Sequence, residues 1–387
     1  SNDYSHCSST PLPPGPGNID AAPGFVDVNN RDFRLSAASP CIDSGAASGA
    51  PPIDIDGVAR PIDGDADGTP AVDIGAYEVA PPGYIPPNTT LATDFDGDGA
   101  HDLGIYDTAT GNWWGKAATA DGRGQVLSPG RNWGGWASAV PVPGNYHGPA
   151  TSAYEIAVYD TQNGNWFHRS DRGDVSPQNW GYPSVTPVPN DYDGDGMTDL
   201  AVFDSRTAQW WINSISNGPI LVANNTWGEK GFRPVPADYD GDGACDLGVY
   251  DRETFMWHIR SINGSVIAEN IWWGYTGTIP VPVNYDSDPA FELAAYDPST
   301  GMWHVADVNG SNTWLNVNWG FPGTLPAPAN YDGDPSNRWE LGIYHPDTGN
   351  WYIRGVNNTT PANWGGPGST VVPLGAARER VVPSAVL

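Results

Sequence analysis

Residues 236–251 read Pro-Ala-Asp-Tyr-Asp-Gly-Asp-Gly-Ala-Cys-Asp-Leu-Gly-Val-Tyr-Asp, with acids at positions 1, 3, 5 and 9 of a loop that starts at Asp238. Gly243, at position 6, allows a sharp bend, and the carbonyl of Ala244 at position 7 is the expected backbone ligand. A calcium ion takes about six to eight oxygen ligands, and this spacing directs carboxylates to one point. Without a cation the same carboxylates would repel one another. The stretch therefore predicts a calcium loop that leads into a β-strand.

The loop pattern recurs along the chain, which favours metal binding over chance acidity. Three copies carry all four acids: Asp94, Asp96, Asp98 and Asp102; Asp191, Asp193, Asp195 and Asp199; and Asp238, Asp240, Asp242 and Asp246. Two variants have Asn in place of the first Asp and Glu in place of the last, the second with a two-residue insertion: Asn284, Asp286, Asp288 and Glu292; and Asn330, Asp332, Asp334 and Glu340. These loops predict about four to five calcium ions. Solvated Asp-Gly turns are the alternative.

Two further stretches are related to the calcium loop but depart from it. The copy around Asn145, His147 and Glu155 lacks the central acids, and we expect no calcium there. Near the N-terminus an Asp-x-Asp-x-Asp-Gly turn is a weaker candidate for one more ion, through Asp63, Asp65 and Asp67.

The composition limits the class of protein. The chain has 387 residues, 17 basic against 45 acidic side chains and a net charge of −28, which argues against binding to nucleic acid and to anionic membranes. Its 48 Gly, 38 Pro, 18 Trp and 17 Tyr are typical of a turn-rich β protein with aromatic packing. No stretch approaches the length of a membrane helix, so we expect no membrane insertion.

An internal repeat organises most of the chain. The loops start at residues 94, 145, 191, 238, 284 and 330, which are 46 to 51 residues apart. A Trp-Gly pair follows each loop, at Trp133, Trp180, Trp227, Trp273, Trp319 and Trp364. In the fourth repeat we predict strands at 234–237, 246–250, 256–261 and 266–273, with the loop after the first strand and an Asn263-Gly264 hairpin before the last. Six such units predict an all-β fold, a six-bladed β-propeller of four-stranded blades.

The repeat also predicts the domain boundaries. We expect an irregular or cap-like N-terminal segment at 1–80, a Pro-rich linker at 81–88, the propeller at 89–376 and a tail at 377–387. Thr89–Thr93 is a weak first strand for the opening repeat. Thr370–Leu374 follows the last Trp-Gly pair as a surplus first strand, and we expect it to close the ring by pairing into the first blade.

Two parts of the chain resemble known families. The repeats, with Pro-Val-Pro, an Asp-x-Asp-Gly-Asp-Gly-x-x-Asp loop, a strand that ends in an aromatic residue and a later Trp, resemble FG-GAP/VCBS-type, integrin-alpha-like propeller repeats. This resemblance implies a calcium-stabilised propeller, commonly secreted or at a cell surface, used for adhesion, ligand binding or as an accessory domain. The segments 18–27, 32–45 and 73–78 resemble the C-terminal end of a secreted bacterial parallel β-helix.

Tryptophans outside the repeated positions are the candidates for ligand contact. One Trp recurs on a strand of every repeat, at Trp113, Trp166, Trp210, Trp257, Trp303 and Trp351, and inter-blade packing explains it and the Trp-Gly set best. The remaining Trp residues could stack on sugar rings, the alternative being caps at strand edges: Trp114, Trp136, Trp211, Trp272, Trp314 and Trp339. In four repeats a cation lies three residues after the recurring Trp: Lys116, Arg169, Arg260 and Arg354. For the first three we expect cross-strand ion pairs with Asp107, Asp160 and Asp251, whereas the last repeat has His345 in place of the aspartate. A basic ring for an acidic polysaccharide is the alternative.

The sequence predicts a binding protein more strongly than an enzyme. It contains none of the common nucleophile, zinc-protease, nucleotide or dinucleotide motifs. We expect a secreted or cell-surface, non-catalytic bacterial module that binds glycan or an extracellular protein. The alternatives are a structural module that assembles with other copies into a fibre, an accessory domain of a polysaccharide-degrading enzyme and, least favoured, a glycan-active enzyme. In a secreted protein Cys7 and Cys41 could form a disulfide, which would leave Cys245 as the odd thiol.

Overall fold

The computed structural model describes residues 17–28, 32–36, 38–46, 50, 60–61, 64, 71–79, 94–108, 110–118, 124–136, 138–148, 153–170, 173–174, 177–216, 220–286, 288–309, 313–333, 339–356, 362–364 and 371–374. These residues fall into two compact units, one within residues 1–86 and one within residues 87–382. The predicted linker 81–88, the strand at 89–93 and the tail 377–387 lie outside the described residues. In the described part of the chain, no helix is long and apolar enough to cross a membrane.

Strands are the regular elements of both units. Numbered in chain order, they are β1 (Phe25–Asp27), β2 (Asp32–Leu35), β3 (Leu103–Asp107), β4 (Asn112–Lys116), β5 (Val126–Asn132), β6 (Ala139–Pro141), β7 (Ile156–Asp160), β8 (Asn165–Ser170), β9 (Gly173–Asp174), β10 (Gln178–Asn179), β11 (Thr186–Pro187), β12 (Leu200–Asp204), β13 (Gln209–Asn213), β14 (Ile220–Thr226), β15 (Arg233–Pro234), β16 (Leu247–Tyr250), β17 (Met256–Arg260), β18 (Val266–Trp272), β19 (Ile279–Pro280), β20 (Leu293–Asp297), β21 (Met302–Ala306), β22 (Thr313–Asn318), β23 (Leu325–Pro326), β24 (Gly342–His345), β25 (Asn350–Ile353), β26 (Ala362–Asn363) and β27 (Val371–Leu374).

Six antiparallel sheets form the blades of a β-propeller, as the repeat predicts. In order along the chain, the blades are β27-β3-β4-β5, β6-β7-β8-β10 with β9 also paired to β8, β11-β12-β13-β14, β15-β16-β17-β18, β19-β20-β21-β22 and β23-β24-β25-β26; we call them blades 1 to 6. The second strands are short, mostly apolar and mostly buried, such as Leu247–Tyr250, and the third strands begin with an alternation of half-buried and buried residues, such as Met256–Arg260. This combination places the second strands in the core.

The ring closes through the C-terminal strand, which confirms the expectation for Thr370–Leu374. Strand β27 pairs antiparallel with β3, so that Val371 lies opposite Asp107 and Leu374 opposite Gly104. Blade 1 therefore takes its first strand from the end of the chain and its other three from the beginning. This closure ties the two ends of the repeat array into one sheet.

The recurring Trp residues connect the third strand of each blade to the Trp-Gly pair that follows its fourth strand. All six are at most 1% exposed. Each donates its indole N–H to the backbone carbonyl of the Trp in the Trp-Gly pair of the same blade, at 2.7 to 3.3 Å: Trp113 to Trp133, Trp166 to Trp180, Trp210 to Trp227, Trp257 to Trp273, Trp303 to Trp319 and Trp351 to Trp364. These side chains are structural, as their packing interpretation predicts.

The Trp residues of the Trp-Gly pairs join neighbouring blades. Five of them donate the indole N–H to a backbone carbonyl on the third strand of the next blade: Trp133 to Phe167, Trp180 to Trp211, Trp227 to His258, Trp273 to His304 and Trp319 to Tyr352, at 3.0 to 3.3 Å. The acceptor is in each case the residue directly after the recurring Trp. One Trp set thus completes the blades, and the other connects them.

The order of strands sorts the connections onto two faces of the ring. Because successive strands are antiparallel, the loops after the first strand and the hairpins after the third lie at one end of each blade. The turns after the second strand and the connections to the next blade lie at the other end. We call the first the loop face and the second the junction face.

The N-terminal unit is small and contains no parallel strand pair among its described residues. Strands β1 and β2 pair antiparallel, and Leu35, Cys41 and Ile42 form the buried cluster. Two carboxylates connect separate stretches of this unit through backbone N–H groups. The Asp43 carboxylate accepts the N–H groups of Gly64 and Ala71, and the Asp73 carboxylate accepts those of Asp43 and Val79. The structure therefore gives no support for parallel β-helix rungs in this segment.

Ring closure by β27 is testable by truncation. Deletion of residues 371–387 removes the partner of β3, and the loss of its ladder should lower the thermal unfolding midpoint by about 5–10 °C. Deletion of residues 375–387 leaves β27 in place and serves as the matched control. Equal midpoints for the two truncated proteins, measured by circular dichroism, would contradict the closure.

Candidate metal centre

The first aspartate of each complete loop organises the loop backbone. The Asp238 carboxylate accepts the N–H groups of Gly241 at 2.7 Å, Asp242 at 3.1 Å and Gly243 at 2.9 Å. Gly241 and Gly243 have φ values of +74° and +90°, a region that side chains other than glycine adopt at a cost. Asp94 and Asp191 accept the corresponding three N–H groups in their own loops. The Asp-x-Asp-Gly-Asp-Gly sequence thus folds the loop locally.

The last acid of each loop, at position 9 or, after a two-residue insertion, at position 11, fastens the end of the loop to its beginning, and we call it the closing acid. In all five acidic loops it accepts the N–H of the residue at position 2, at 2.5 to 2.8 Å: Asp102 from Phe95, Asp199 from Tyr192, Asp246 from Tyr239, Glu292 from Tyr285 and Glu340 from Tyr331. The four Tyr residues in turn donate their hydroxyls to a carbonyl four residues earlier, at 2.6 to 2.8 Å. Each loop is thereby anchored in the core of its blade.

The predicted ligands converge in four of the loops. Atoms that could hold a metal lie within 4.8 Å of one another in the sets Asp94, Asp96 and Asp102; Asp191, Asp193 and Asp199; Asp238, Asp240 and Asp246; and Asp286, Asp288 and Glu292. Position 5 behaves differently in the three complete loops, because Asp98, Asp195 and Asp242 each turn one oxygen to the N–H at position 7. Their contribution to a metal centre would come from the other oxygen.

Several of these oxygens are buried without a hydrogen-bond donor. Asp199 is fully buried, and its Oδ1 has no partner; the same holds for Oδ1 of Asp193 in that loop and Oδ1 of Asn284 in the next variant loop. A buried oxygen without a partner costs about 1–3 kcal/mol. An oxygen-binding cation would supply the missing interaction. The donor set, carboxylate and amide oxygens alone, fits calcium in particular.

Burial strongly perturbs the closing acids. Loss of solvation raises the pKa of Asp199 and Asp246 to about 7 and that of Asp102 and Glu292 to about 8, and the neighbouring carboxylates of each loop raise it further. Burial likewise raises the pKa of the first aspartates, Asp94, Asp191 and Asp238. A divalent cation in the loop would favour the charged forms and lower these pKa values again.

The loops also join the blades around the ring. In every loop the backbone carbonyl at position 1 accepts an N–H from the loop of the next blade: Tyr154 N to Asp94 O (2.6 Å), Thr198 N to Asn145 O (2.7 Å), Cys245 N to Asp191 O (2.7 Å), Phe291 N to Asp238 O (2.8 Å), Trp339 N to Asn284 O (2.7 Å) and His101 N to Asn330 O (2.7 Å). We call these six hydrogen bonds the inter-blade belt. In the complete loops position 1 therefore directs its side chain into its own loop and its carbonyl to the next, whereas Asn145 in blade 2 also donates its side-chain amide to Gly196 of the next loop.

The remaining candidate loops are only partly described. Asp334 of the fifth acidic loop lies outside the described residues, while Asn330 and Glu340 occupy the same positions as in the other loops. Asp63, Asp65 and Asp67 also lie outside the described residues, so that candidate stays a prediction. In blade 2, Asn145 keeps the position-1 carbonyl contact although the central acids are missing.

The candidate sugar-contacting tryptophans differ in exposure. Trp272 is 59% exposed and Trp136 is 37% exposed, whereas Trp114 and Trp211 are half-buried on the outward side of their strands. Trp339 packs against His101 and Phe291, with ring centroids 4.9 and 5.7 Å apart, and belongs to the core between blades. The side chain of Trp314 lies outside the described residues. Trp272 and Trp136 are thus the candidates that the structure leaves accessible.

The cations after the recurring Trp do not reach the aspartates expected to pair with them. Asp107 lies opposite Asn112, and Lys116 pairs at the other end of the same two strands, opposite Leu103. The cations instead lie over Trp rings of the preceding blade: Lys116 over Trp364 (5.5 Å), Arg169 over Trp133 (5.4 Å) and Arg260 over Trp227 (4.7 Å). The predicted cross-strand ion pairs are wrong, because strand register separates the charges and the neighbouring blade offers an aromatic face.

Aromatic pairs on the junction face were not predicted. At five blade junctions an aromatic residue shortly after the Trp-Gly pair contacts the residue that follows the recurring Trp of the next blade: Trp136 with Phe167, Tyr182 with Trp211, Phe232 with His258, Tyr275 with His304 and Phe321 with Tyr352, at centroid distances of 5.3 to 6.2 Å. The sequence signal is an aromatic residue two to five positions after the Trp of each of the first five Trp-Gly pairs. This signal does not identify the residue that each aromatic side chain contacts, because that residue lies in the next repeat.

The cysteines show no redox centre among the described residues. Cys41 and Cys245 are buried, and burial raises the pKa of the Cys245 thiol well above its usual value. Cys7 lies outside the described residues, so its pairing with Cys41 stays a prediction.

Comparison with protein families gives a match within the repeats. Residues 191–249 match the FG-GAP-like repeat. The match begins at the first ligand of the acidic loop in blade 3 and includes the whole acidic loop of blade 4, so it covers the part of the chain with two complete loops. A comparison with curated proteins gives no match.

Comparison with solved structures gives matches at low sequence identity. A chain from the crystal structure of BBS1N in complex with ARL6DN is 14% identical, with a TM-score of 0.44, over 75% of this chain and 94% of that one. An Agrocybe aegerita lectin that recognises non-reducing terminal N-acetylglucosamine is 13% identical, with a TM-score of 0.46, over 73% and 79%. Virginiamycin B lyase from Staphylococcus aureus is 11% identical, with a TM-score of 0.42, over 69% and 85%. These likenesses concern the fold alone.

The raised pKa values of the closing acids predict how the metal-free protein responds to pH. The closing carboxyls keep their protons up to about pH 7 to 8 in the folded chain and lose them near the ordinary values of 3.8 and 4.5 when it unfolds. Between these limits the folded state binds more protons, so stability falls as pH rises. In chelator the unfolding midpoint should be lower at about pH 8 than at about pH 5.5. A midpoint that rises over this range would contradict the burial of these carboxyls.

Proposed function

We propose that the chain is a secreted, calcium-stabilised, non-catalytic binding module that recognises a glycan or a protein at a bacterial cell surface or in the surrounding matrix. The observation that carries the calcium part is the set of buried carboxylate and amide oxygens without donors, at Asp193, Asp199 and Asn284. These atoms lie at the positions where the loop sequence predicts ligands. Calcium at extracellular concentrations is the oxygen-binding cation that such loops take up most readily.

In this proposal calcium has a structural role. The loop residues hold the ion through their side chains, and the same loops carry the inter-blade belt through their backbones. An ion that fixes position 1 of a loop therefore also fixes the carbonyl that the next blade uses. Calcium binding would stiffen the ring at the loop face and leave the junction face free for a ligand.

The binding part of the proposal rests on exposed aromatic side chains of the junction face. Trp272 ends the outer strand of blade 4 and is 59% exposed, and Tyr275, which follows it in the connection to blade 5, is 39% exposed. Trp136 and Phe321, each 37% exposed, lie in the connections from blades 1 and 5. Rigid aromatic side chains stack on apolar ligand faces and are enriched at interfaces. The net charge of −28 favours neutral glycans or basic proteins over polyanions.

A second candidate function is assembly of copies into a larger structure. The outer strands of three blades begin with an exposed apolar residue: Val126 (45%), Ile220 (54%) and Val266 (55%). An outer strand with an exposed edge can pair with another chain. In this alternative the contacts would lie on the rim near the loop face, away from Trp272.

Loss of one loop ligand should weaken calcium stabilisation. Asp240→Asn keeps the size of the side chain and its acceptance of the Asp242 N–H but removes a charge from the loop. In calcium the unfolding midpoint should fall on the order of 5 °C, because the ion stabilises the folded state by mass action. In chelator the variant should be at least as stable as the wild type, because its loop carries one repelling charge fewer. Glu253→Gln, an exposed acid outside the loops, is the control, and equal losses with and without calcium would contradict ligation by Asp240.

Ligand binding is testable with the exposed Trp. Wild-type protein in calcium is screened against neutral and acidic polysaccharides and monosaccharides by the rise in its unfolding midpoint. Trp272→Ala should reduce affinity for a glycan so identified at least about tenfold, as expected for a central aromatic contact. Val266→Ala, an equally exposed apolar residue on the same strand, should bind as the wild type does. Chelator sensitivity without any glycan response, together with concentration-dependent oligomers, would favour the assembly alternative.

A further inference from the structure

The loop of blade 2 lacks the central acids but brings together a different set of side chains. His147 occupies position 3, where the complete loops have Asp, and Glu155 is the closing acid of this loop. His147 Nδ1 lies 2.6 Å from Glu155 Oε2. A second imidazole, His168 on β8, completes the group, because one ligand atom from each of the three residues lies within 4.8 Å of the others. Blade 2 thus has two imidazoles and one carboxylate where the complete loops have carboxylates alone.

His168 occupies a position that is apolar or glycine in every other blade. It lies two residues after the recurring Trp166, and the corresponding residues of the other blades are Gly115, Ile212, Ile259, Val305 and Ile353. Like those aliphatic residues it is buried, with 1% exposure. An imidazole in an otherwise aliphatic position of the core requires a partner for its polar atoms.

Neither ring nitrogen of His168 has a hydrogen-bond partner. Its neighbours are the rings of Tyr146 and His147, with centroids 5.1 and 4.6 Å away. Burial disfavours the charged form of His168, and a neutral imidazole has a lone pair to donate. A neutral, buried and unpartnered imidazole directed at a second imidazole and a carboxylate is the arrangement of a metal ligand.

We propose that His147, Glu155 and His168 form a zinc site in blade 2. Two imidazoles and one carboxylate suit a borderline transition metal and not calcium, which requires oxygen ligands. Zinc takes nitrogen and carboxylate ligands at about 2.0–2.2 Å, so that two ligand atoms of a tetrahedral ion lie about 3.3 Å apart. The three residues would adopt this spacing if the ligand atoms of His147 and Glu155 moved slightly apart and that of His168 moved slightly closer to them. Solvent reaches the site through His147, whose side chain is 34% exposed, and water would take the fourth position.

The zinc site would do in blade 2 what calcium does in its neighbours. It would link the loop, through His147 and Glu155, to the third strand of the blade, through His168. Asn145, at position 1 of the same loop, accepts the N–H of Thr198 from blade 3. A metal that orders this loop would therefore stabilise the hydrogen bond between Thr198 and Asn145, the one member of the inter-blade belt whose acceptor does not belong to an acidic loop.

Metal titration of the full chain tests the proposal independently of glycan binding. Metal-free protein is first saturated with calcium to fill the oxygen loops and is then titrated with Zn²⁺, with bound zinc and the unfolding midpoint as readouts. We expect about one tight zinc ion per chain and a higher midpoint. Co²⁺ in place of zinc should give the visible absorption of a tetrahedral site with nitrogen ligands.

Two variants and one control decide the assignment. His168→Ile introduces the residue of blades 3, 4 and 6 at this position, so it should fold without zinc at least as stably as the wild type. Its zinc affinity should fall more than about 100-fold, because mutation of a residue that only supports a metal ligand costs about 10–100-fold. His147→Asn, at a partly exposed position, should lose zinc to a similar extent, while His258→Gln should bind zinc as the wild type does. Wild-type zinc affinity in His168→Ile or His147→Asn, or displacement of the zinc by millimolar calcium, would overturn the proposal.

Discussion

The structure depends on a double use of the residue at position 1 of each loop. In the complete loops the carboxylate of this residue accepts three N–H groups of its own loop, while its backbone carbonyl accepts an N–H from the loop of the next blade. The folding of one loop and its contact with the neighbouring blade are therefore coupled through a single residue. Because the contact is made by the backbone, Asn145, Asn284 and Asn330 maintain it without an acid.

The two faces of the ring are held by different forces. At the loop face, hydrogen bonds of the inter-blade belt connect carboxylate-rich loops whose mutual repulsion calls for cations. At the junction face, indole hydrogen bonds and aromatic pairs connect the blades. The Trp residues thus give a framework that needs no ion. If the loops bind calcium as proposed above, the order of the loop face would depend on the bound ion, while the junction face would keep its fold.

Much of the fold could be predicted because the sequence repeats. The spacing of the loops and of the Trp-Gly pairs gives the number of blades, and the surplus strand at 370–374 gives the ring closure. The convergence of the loop carboxylates could be predicted because their spacing is local. Contacts between repeats could not: Arg260 lies over Trp227 of the preceding blade, and its register in β17 separates it from Asp251. The sequence places His168 and His147 a strand apart, and only the fold of blade 2 brings the two rings together.

Amide hydrogen exchange with and without calcium tests the central claim that metal loops and inter-blade contacts are coupled. The amides of Cys245 and Phe291 belong to the belt, whereas the amide of Trp273 bonds to Phe255 within blade 4 at the junction face. Under conditions where the protein stays folded, chelation should speed exchange at Cys245 and Phe291 and leave Trp273 protected. Unchanged protection of the two belt amides on removal of calcium would contradict the coupling.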